Sequence, residues 1–277
     1  MFKIIGIKES IHEETETIEH TINVETLIKC IIIASGNDAS VAMAEHIAGS
    51  SEAFAKLMNE RAKQAGATDT HFANPNGLHD DNHYVTAYDM AMIMKAAVQY
   101  PVFLDVIHTT EYTIPANNKR TEPFQSYQRH KMLFTTSPYY DADVIGGKTG
   151  YTDQAGKTLV TYAKRGNVSL ISVVLKSNGD QVFDDTKKLL DYGFNTFSFK
   201  QFGKKGDVVK NVLVNKGVKS NVDAIYEQNA GTLLEKGNDK NIEQNLTLEN
   251  NISAPITAGQ KLGEVSFSLN RRNFIYN

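Results

Sequence analysis

The stretch Gly146-Gly147-Lys148-Thr149-Gly150 decides how the fold is interpreted, because the character of the sequence changes there. Two runs rich in β-branched residues follow it, Thr158–Ala163 and Ser169–Leu175, and Lys164-Arg165-Gly166-Asn167 separates them. Such runs on either side of a short polar turn predict an antiparallel β-hairpin. The Lys-Thr-Gly triplet is therefore expected at the start of an antiparallel sheet.

Most of the sequence before this stretch has helical periodicity. Asn23 is a candidate N-cap for the first helix, and Thr86-Ala87-Tyr88-Asp89 is a capping-box pattern that opens a later one. The predicted helices cover Val24–Ala34, Asp38–Ile47, a segment from Ser50 to Ala65, a segment from Thr86 to Tyr100, and Gln181–Tyr192. Predicted helices therefore lie both before and after the strand-rich segment.

From about Phe199 the segments become short and alternate between apolar and polar residues. The candidate strands are Val208–Val214, Asp223–Tyr226, Thr232–Leu234, Leu246–Leu248 and Gly263–Ser268. Gly, Asn and Lys separate them, which is typical of a small all-β domain. We expect one domain over residues 1–199 and a second, β-rich domain over residues 200–277.

Composition narrows the function classes. The 277 residues are 41% hydrophobic and 22% charged, an ordinary globular profile. A formal charge of -3 disfavours nucleic-acid binding. The single cysteine, Cys30, excludes an internal disulfide and a multi-cysteine zinc site. No apolar run approaches the ~20 residues of a membrane span, and Met1–Ile7 is too short for the apolar region of a signal peptide.

Two triplets carry candidate chemistry, Ser35-Gly36-Asn37 and Lys148-Thr149-Gly150. Either one alone also fits a helix cap or a turn. Together they suit a peptide that ends in a carboxylate, because Lys148 and Thr149 offer a cation and a hydroxyl donor, and Gly150 lets a backbone approach closely. Asn37 can both give and take a hydrogen bond with an amide, and Ser35 can relay a proton to a leaving amine.

In this order the triplets resemble the second and third motifs of penicillin-binding proteins and serine β-lactamases. Longer stretches resemble one group among them, the D-alanyl-D-alanine carboxypeptidases of the DacA-like peptidase S11 family, which are low-molecular-mass penicillin-binding proteins. The stretches are Ile33–Ala42, His71–Leu78, Tyr84–Ala91 and Gly147–Thr152 with Ala155-Gly156. The tail after Phe199 is similar to the β-rich second domain of that family.

The resemblance implies a fold and an activity. The implied fold is α/β, an antiparallel sheet with helices on both faces as in serine β-lactamases and penicillin-binding proteins, here incomplete, followed by a small β-rich C-terminal domain. The activity is removal of the terminal D-alanine from peptidoglycan stem peptides that end in D-Ala-D-Ala, through an acyl-enzyme that water hydrolyses. β-Lactams inhibit the complete enzyme, no metal or organic cofactor is needed, and the place of action is extracytoplasmic, at the cell wall or membrane.

The resemblance also implies roles for individual residues. Ser35 is the proton relay and Asn37 the partner of the substrate amide. Lys148, Thr149 and Gly150 bind the substrate carboxylate. The backbone N–H of Tyr151 is one donor of the oxyanion hole.

The sequence departs from the family at its first motif. The family's nucleophile lies in a Ser-x-x-Lys motif, and none occurs in the 277 residues. Thr26-Leu27-Ile28-Lys29 is the nearest imitation and matches a different family segment. Because only 34 residues precede Ser35, we expect an N-terminally truncated chain with an incomplete fold that is inactive alone.

Several alternatives stay open at this point. The truncation could reflect a gene fragment, which we favour, or a deliberately shortened chain. A non-catalytic homologue that binds or scaffolds peptidoglycan would keep Asn37 and Lys148 for recognition. A β-lactamase relative is disfavoured because the β-rich tail suits the carboxypeptidases better. Membrane association of a longer parent chain is also left open.

Overall fold

The computed structural model describes residues 22–238, 242–249 and 251–269, together with the backbone of residues 272–276. The chain divides into two compact units between Asp191 and Tyr192. The expectation about Met1–Ile7 lies outside the described residues.

The first unit begins with helices whose N-termini are capped as expected. The Asn23 side chain accepts a hydrogen bond from Thr26 N (2.7 Å), and Thr86 Oγ1 accepts one from Asp89 N (3.1 Å), so both predicted caps are confirmed. The helices of the chain are α1 (Val24–Lys29), α2 (Asn37–Ala48), α3 (Ser51–Gln64), α4 (Ala87–Ala97), α5 (Pro101–His108) and α6 (Gln181–Thr196). A π-helical turn, Cys30–Ala34, follows α1.

Three helix predictions need correction. The helix predicted over Val24–Ala34 changes from α-helical to π-helical at Cys30. The segment predicted to be helical from Thr86 to Tyr100 ends as α4 at Ala97, and Pro101 begins a separate helix, α5, because proline lacks only an N–H that the first helical turn leaves unpaired. Helix α6, predicted over Gln181–Tyr192, continues to Thr196.

Two antiparallel sheets form in the first unit. A hairpin pairs β1 (Glu111–Ile114) with β2 (Phe124–Tyr127). The larger sheet has the order β3-β4-β5, and its strands are β3 (Val144–Thr152), β4 (Gly156–Arg165) and β5 (Val168–Ser177). The hairpin predicted after Lys-Thr-Gly is confirmed as β4-β5, and β3 carries the triplet itself.

Two adjacent glycines let other elements approach β3 from both sides. A Cβ on Gly146 would lie 2.4 Å from the carbonyl oxygen of Ile107 in α5, and one on Gly147 would lie 3.0 Å from His130 Cδ2. Neighbouring residues of a strand point to opposite faces of the sheet. Helix α5 and the His130 ring therefore pack on opposite faces of β3, immediately before Lys148.

The second unit is rich in β-structure, as the sequence predicts. Strand β6 pairs with β9, β7 pairs with β8, and β10, β11 and β12 form a third sheet. The rings of Phe202 and Phe267 stack with their centroids 4.1 Å apart, beside the buried Tyr226, Ala230 and Val265. The strands are β6 (Phe197–Gly203), β7 (Val208–Leu213), β8 (Asn221–Ile225), β9 (Ala230–Glu235), β10 (Glu243–Leu248), β11 (Gly263–Leu269) and β12 (Arg272–Tyr276).

Within the described residues, no single helix has the length and apolarity that crossing a membrane requires. Helices α4 and α5 reach that length and composition only when taken together, with a bend of 112° between them.

Candidate active site

Ser35 stands where the π-helical turn ends. Its backbone is left-handed, with φ 59° and ψ 43°, and the N–H of Gly36 donates to Cys30 O at 3.1 Å. This conformation costs a residue with a Cβ roughly 1–2 kcal/mol, and such backbone strain is concentrated at functional sites. The turn and the following start of α2 hold the half-buried Ser35 side chain in place.

Lys148 joins the two triplets directly. Its Nζ donates to Ser35 Oγ at 2.9 Å and to the Thr149 carbonyl oxygen at 2.7 Å, although Ser35 lies 113 residues earlier in the chain. An ammonium group has three N–H donors. Two are used in these bonds, and the third is available to an anionic ligand.

The surroundings of Lys148 disfavour its charge. Burial, and next the positive charge of Arg129, lower the pKa of Lys148 from 10.5 to about 8. A carboxylate bound there would restore the preference for the charged form. The site therefore has a positive charge that no side-chain carboxylate of the described residues neutralises by an ion pair.

The remaining predicted residues follow Ser35 or Lys148 along the chain. Asn37 is the exposed first residue of α2, two positions after Ser35. Thr149 and Gly150 are half-buried in β3, and a Cβ on Gly150 would lie 2.5 Å from Thr158 Oγ1. The phenol of Tyr151 is directed elsewhere, since its OH donates to Asp153 Oδ1 at 2.8 Å. The role expected of Tyr151 concerns its backbone N–H, which this contact leaves untouched.

Two neighbours of the site have no signal in the sequence. Arg129 is exposed and acts on Lys148 through its charge. His130 is completely buried, its Nε2 lies 2.8 Å from Thr161 Oγ1, and burial lowers its pKa from 6.5 to about 4. Both precede Lys148 by fewer than 20 residues but belong to no motif, and only the tertiary fold brings them to β3.

We expect His130 to make the protein less stable in acid. Its native pKa of about 4 lies below the 6.5 of an unfolded histidine, so the unfolded chain binds more protons between these values. The free energy of unfolding is therefore full above pH 6.5 and falls by about 3 kcal/mol as the pH drops through 4. Urea unfolding of wild type and His130→Gln across this range checks it. Equal pH slopes for the two proteins would show that His130 is not the cause.

Two apolar concavities are lined by residues other than those of this site. One, of about 630 Å³, lies against α3 and α4 and includes Phe54 and Phe103. The other, of about 550 Å³, belongs to the second unit and includes Val222 and Leu246. Neither lining includes Ser35 or Lys148, and polar groups that converge on a reacting atom define an active site better than volume does. Among the described residues, no group of three His, Cys, Asp or Glu side chains could hold a metal ion.

Comparison with known families agrees with the two-part chain. Residues 8–179 match the peptidase S11 model, described as D-alanyl-D-alanine carboxypeptidase. Residues 197–276 match the model of the C-terminal domain of penicillin-binding protein 5. The first match alone covers more than half of the 277 residues.

Individual proteins show the same likeness. The chain is 36% identical to the D-alanyl-D-alanine carboxypeptidase DacF of Bacillus subtilis over 242 residues, which cover 87% of this chain and 60% of that protein. It therefore spans less than two thirds of the length of this relative.

Solved structures add the fold. Penicillin-binding protein 5 from Haemophilus influenzae superposes with a TM-score of 0.72 at 31% identity, covering 93% of this chain and 73% of that chain. The structure of a peptidoglycan synthesis regulatory factor (PBP3) from Streptococcus pneumoniae gives a TM-score of 0.77 at 25% identity, covering 92% of this chain and 76% of that chain. The architecture is that of the penicillin-binding proteins and serine β-lactamases, and the chain belongs to the peptidase S11 family of D-alanyl-D-alanine carboxypeptidases.

Proposed function

We propose that this chain supplies the substrate-recognition side of a serine-type D-Ala-D-Ala carboxypeptidase that acts in peptidoglycan maturation, outside the cytoplasm. The substrate is a stem peptide that ends in D-Ala-D-Ala, and β-lactams inhibit the complete enzyme. Residues 1–199 form the part that carries the active-site residues, and residues 200–277 form the β-rich domain.

The hydrogen bond from Lys148 to Ser35 is the observation that carries this proposal. It brings a cation and a hydroxyl from the two triplets within 2.9 Å of each other. Thr149 and the small Gly150 come next along β3, and we propose that the Thr149 hydroxyl is a second donor to the carboxylate that Lys148 binds. In the described sheet β3 pairs with β4 on one side, which leaves its other edge for an extended peptide.

The same geometry supports a proton relay. Ser35 Oγ accepts from Lys148, so its own hydroxyl hydrogen can be given to another atom. When the bond between the last two D-alanines breaks, the departing amine needs one proton. Ser35 donates that proton and takes one from Lys148, and Lys148 regains a proton from solvent once D-alanine has left. Asn37 orients the substrate amide, and the Tyr151 N–H stabilises the oxyanion.

The serine that forms the acyl-enzyme is not assigned to any residue of this chain. Catalysis by a serine hydroxyl needs an adjacent base, and the family supplies both in a Ser-x-x-Lys motif that the 277 residues lack. We therefore propose that this chain binds the substrate without being acylated.

Binding of short peptides tests the proposal. A peptide ending in D-Ala-D-Ala carboxylate is expected to bind at least about tenfold more tightly than the same peptide ending in an amide, because a charge-assisted hydrogen bond is worth about 1.5–3 kcal/mol. Lys148→Met should remove this preference. Titration calorimetry measures both. Equal affinity of wild type for the two peptides would rule out Lys148 as the carboxylate site.

The absence of Ser-x-x-Lys favours a second candidate function, a non-catalytic protein that binds or scaffolds peptidoglycan. Labelling with fluorescent penicillin distinguishes such a non-catalytic protein from an enzyme that is active by itself. A covalent band from this chain alone would show that it has a working nucleophile. Peptide binding without labelling agrees with both the scaffold and the recognition role. These two roles are separated by adding a Ser-x-x-Lys segment of a relative that has been expressed separately. Labelling should appear after this addition only if the chain supplies the recognition side of an enzyme.

A further inference from the structure

We propose that His130 is a positioning residue, which holds β3 and Arg129 in place so that Lys148 meets its ligand in a fixed, partly dehydrated position. The inference rests on the proposed function, in which Lys148 binds a carboxylate. Nothing in the sequence marks His130, and no step of the proposed reaction uses it.

Contacts on the reverse face of the sheet support this role. The triplet that begins with Lys148 lies in β3, and the residue before it, Gly147, is paired with Thr161 of β4. The His130 ring lies against Gly147, where a Cβ would be 3.0 Å from its Cδ2, and is hydrogen-bonded to Thr161 Oγ1 at 2.8 Å. The His130 ring and the Val160 backbone oxygen thus border the space that a side chain at position 147 would enter, and the hydrogen bond to Thr161 fixes the ring to strand β4.

Burial makes the arrangement rigid. His130 and Thr161 are both fully buried, and Phe183 of α6 lies beyond the imidazole, with the ring centroids 6.1 Å apart. His130 Nδ1 has no hydrogen-bond partner within the described structure. An unpaired N–H costs more than an unpaired ring nitrogen, so the neutral tautomer with its proton on Nε2 is favoured. That proton is then donated to Thr161 Oγ1, which fixes the plane of the ring.

The order of residues along the chain connects His130 to both cations, Arg129 and Lys148. Arg129 immediately precedes His130 and is exposed, and its charge reaches Lys148. Gly147 immediately precedes Lys148. One buried ring therefore restrains the residue next to each cation. If it is lost, we expect Lys148 to become better hydrated and Arg129 to move away.

Better hydration of Lys148 and movement of Arg129 away from it would both raise the pKa of Lys148. Burial and the charge of Arg129 are the two causes that lower it to about 8. When both weaken, the pKa rises toward 10.5. A side chain that only filled space would lower the melting temperature without this change.

The experiment is an NMR titration of the Lys148 ammonium in the full 277-residue chain, without ligand, with the signal assigned by its loss in Lys148→Met. His130→Leu removes the hydrogen bond and is expected to raise the pKa of Lys148 by about one unit and to weaken peptide binding about tenfold. His130→Gln, which keeps a neutral donor, should restore most of both. Thr161→Val keeps His130 but removes its partner and should act in the direction of His130→Leu.

Thr186→Val is the matched control. Thr186 is also fully buried in the first unit, and its Oγ1 donates to Val182 O at 2.8 Å. The Thr186→Val substitution should lower the melting temperature and leave the pKa of Lys148 unchanged. An unchanged pKa in folded His130→Leu or Thr161→Val, or an equal shift in Thr186→Val, would overturn the proposal. The titration needs no ligand, so failure of the proposed function, seen as no carboxylate preference in wild type, is a separate result.

Discussion

Replacing Gly147 by alanine is expected to cost at least about 3 kcal/mol of unfolding free energy, near the upper end for overpacked sites. An added Cβ would lie 2.0 Å from the backbone oxygen of Val160 and 3.0 Å from the His130 ring. Backbone of the neighbouring strand cannot rotate away, so β3 must separate from β4. Urea unfolding measures the loss, and the same displacement should abolish carboxylate binding at Lys148.

Gly150 provides the matched control for this prediction. An added Cβ there would lie 2.5 Å from Thr158 Oγ1, which is a side-chain atom. Gly150→Ala should therefore be largely rescued by Thr158→Ala, whereas no side-chain substitution removes the Val160 oxygen that obstructs Gly147→Ala. A Gly147→Ala protein as stable as wild type would show that β3 and β4 are not packed as described.

Lys148→Met is expected to make the protein more stable while removing its function. The native pKa of Lys148, about 8, lies below the 10.5 of an exposed lysine, so the unfolded chain binds more protons between these values. Below pH 8 the charged native lysine therefore carries its full penalty. A methionine at this position has no charge and avoids this penalty, but it also loses the hydrogen bond to Ser35. We therefore expect the free energy of unfolding to increase by about 1–2 kcal/mol at pH 7.

The pH dependence separates this explanation from simple repacking. Wild-type stability should rise between pH 8 and 10.5 as Lys148 loses its proton, and the advantage of Lys148→Met should disappear over the same range. Urea unfolding at pH 7 and pH 10 tests both. A gain that is equal at the two pH values would mean that the charge of Lys148 is not what destabilises the native state.

Local patterns explain why much of the fold could be predicted. Asn23 and Thr86 cap helices because their side-chain oxygens bond nearby backbone N–H groups, an interaction that short sequence patterns record. The hairpin after Lys-Thr-Gly followed from β-branched runs around Gly166, which has a φ of 57°. Segments that tertiary contacts determine were missed, including α5 and the β1-β2 hairpin.

The candidate active site was likewise predicted in part from sequence motifs and in part missed. Ser35 and Lys148 belong to motifs and were found from the sequence, but the 2.9 Å bond between them depends on the whole first unit. The π-helical turn was not foreseen, since no periodicity distinguishes it from α-helix over five residues. Arg129 and His130 could not be found, because the charge of Arg129 acts on Lys148, and the His130 ring lies against Gly147, only once the chain has folded.

The most direct test of the central claim, that Ser35 and Lys148 form a site for a terminal carboxylate, is proton-linked calorimetry at pH 8. A peptide ending in D-Ala-D-Ala is titrated into the chain in two buffers with different ionisation enthalpies. Because Lys148 is about half protonated near its pKa of about 8, binding of a carboxylate should draw in a fraction of a proton, and neither the amide-ended peptide nor Lys148→Met should show this uptake. Carboxylate binding without proton uptake in wild type, or with the same uptake in Lys148→Met, would contradict the account.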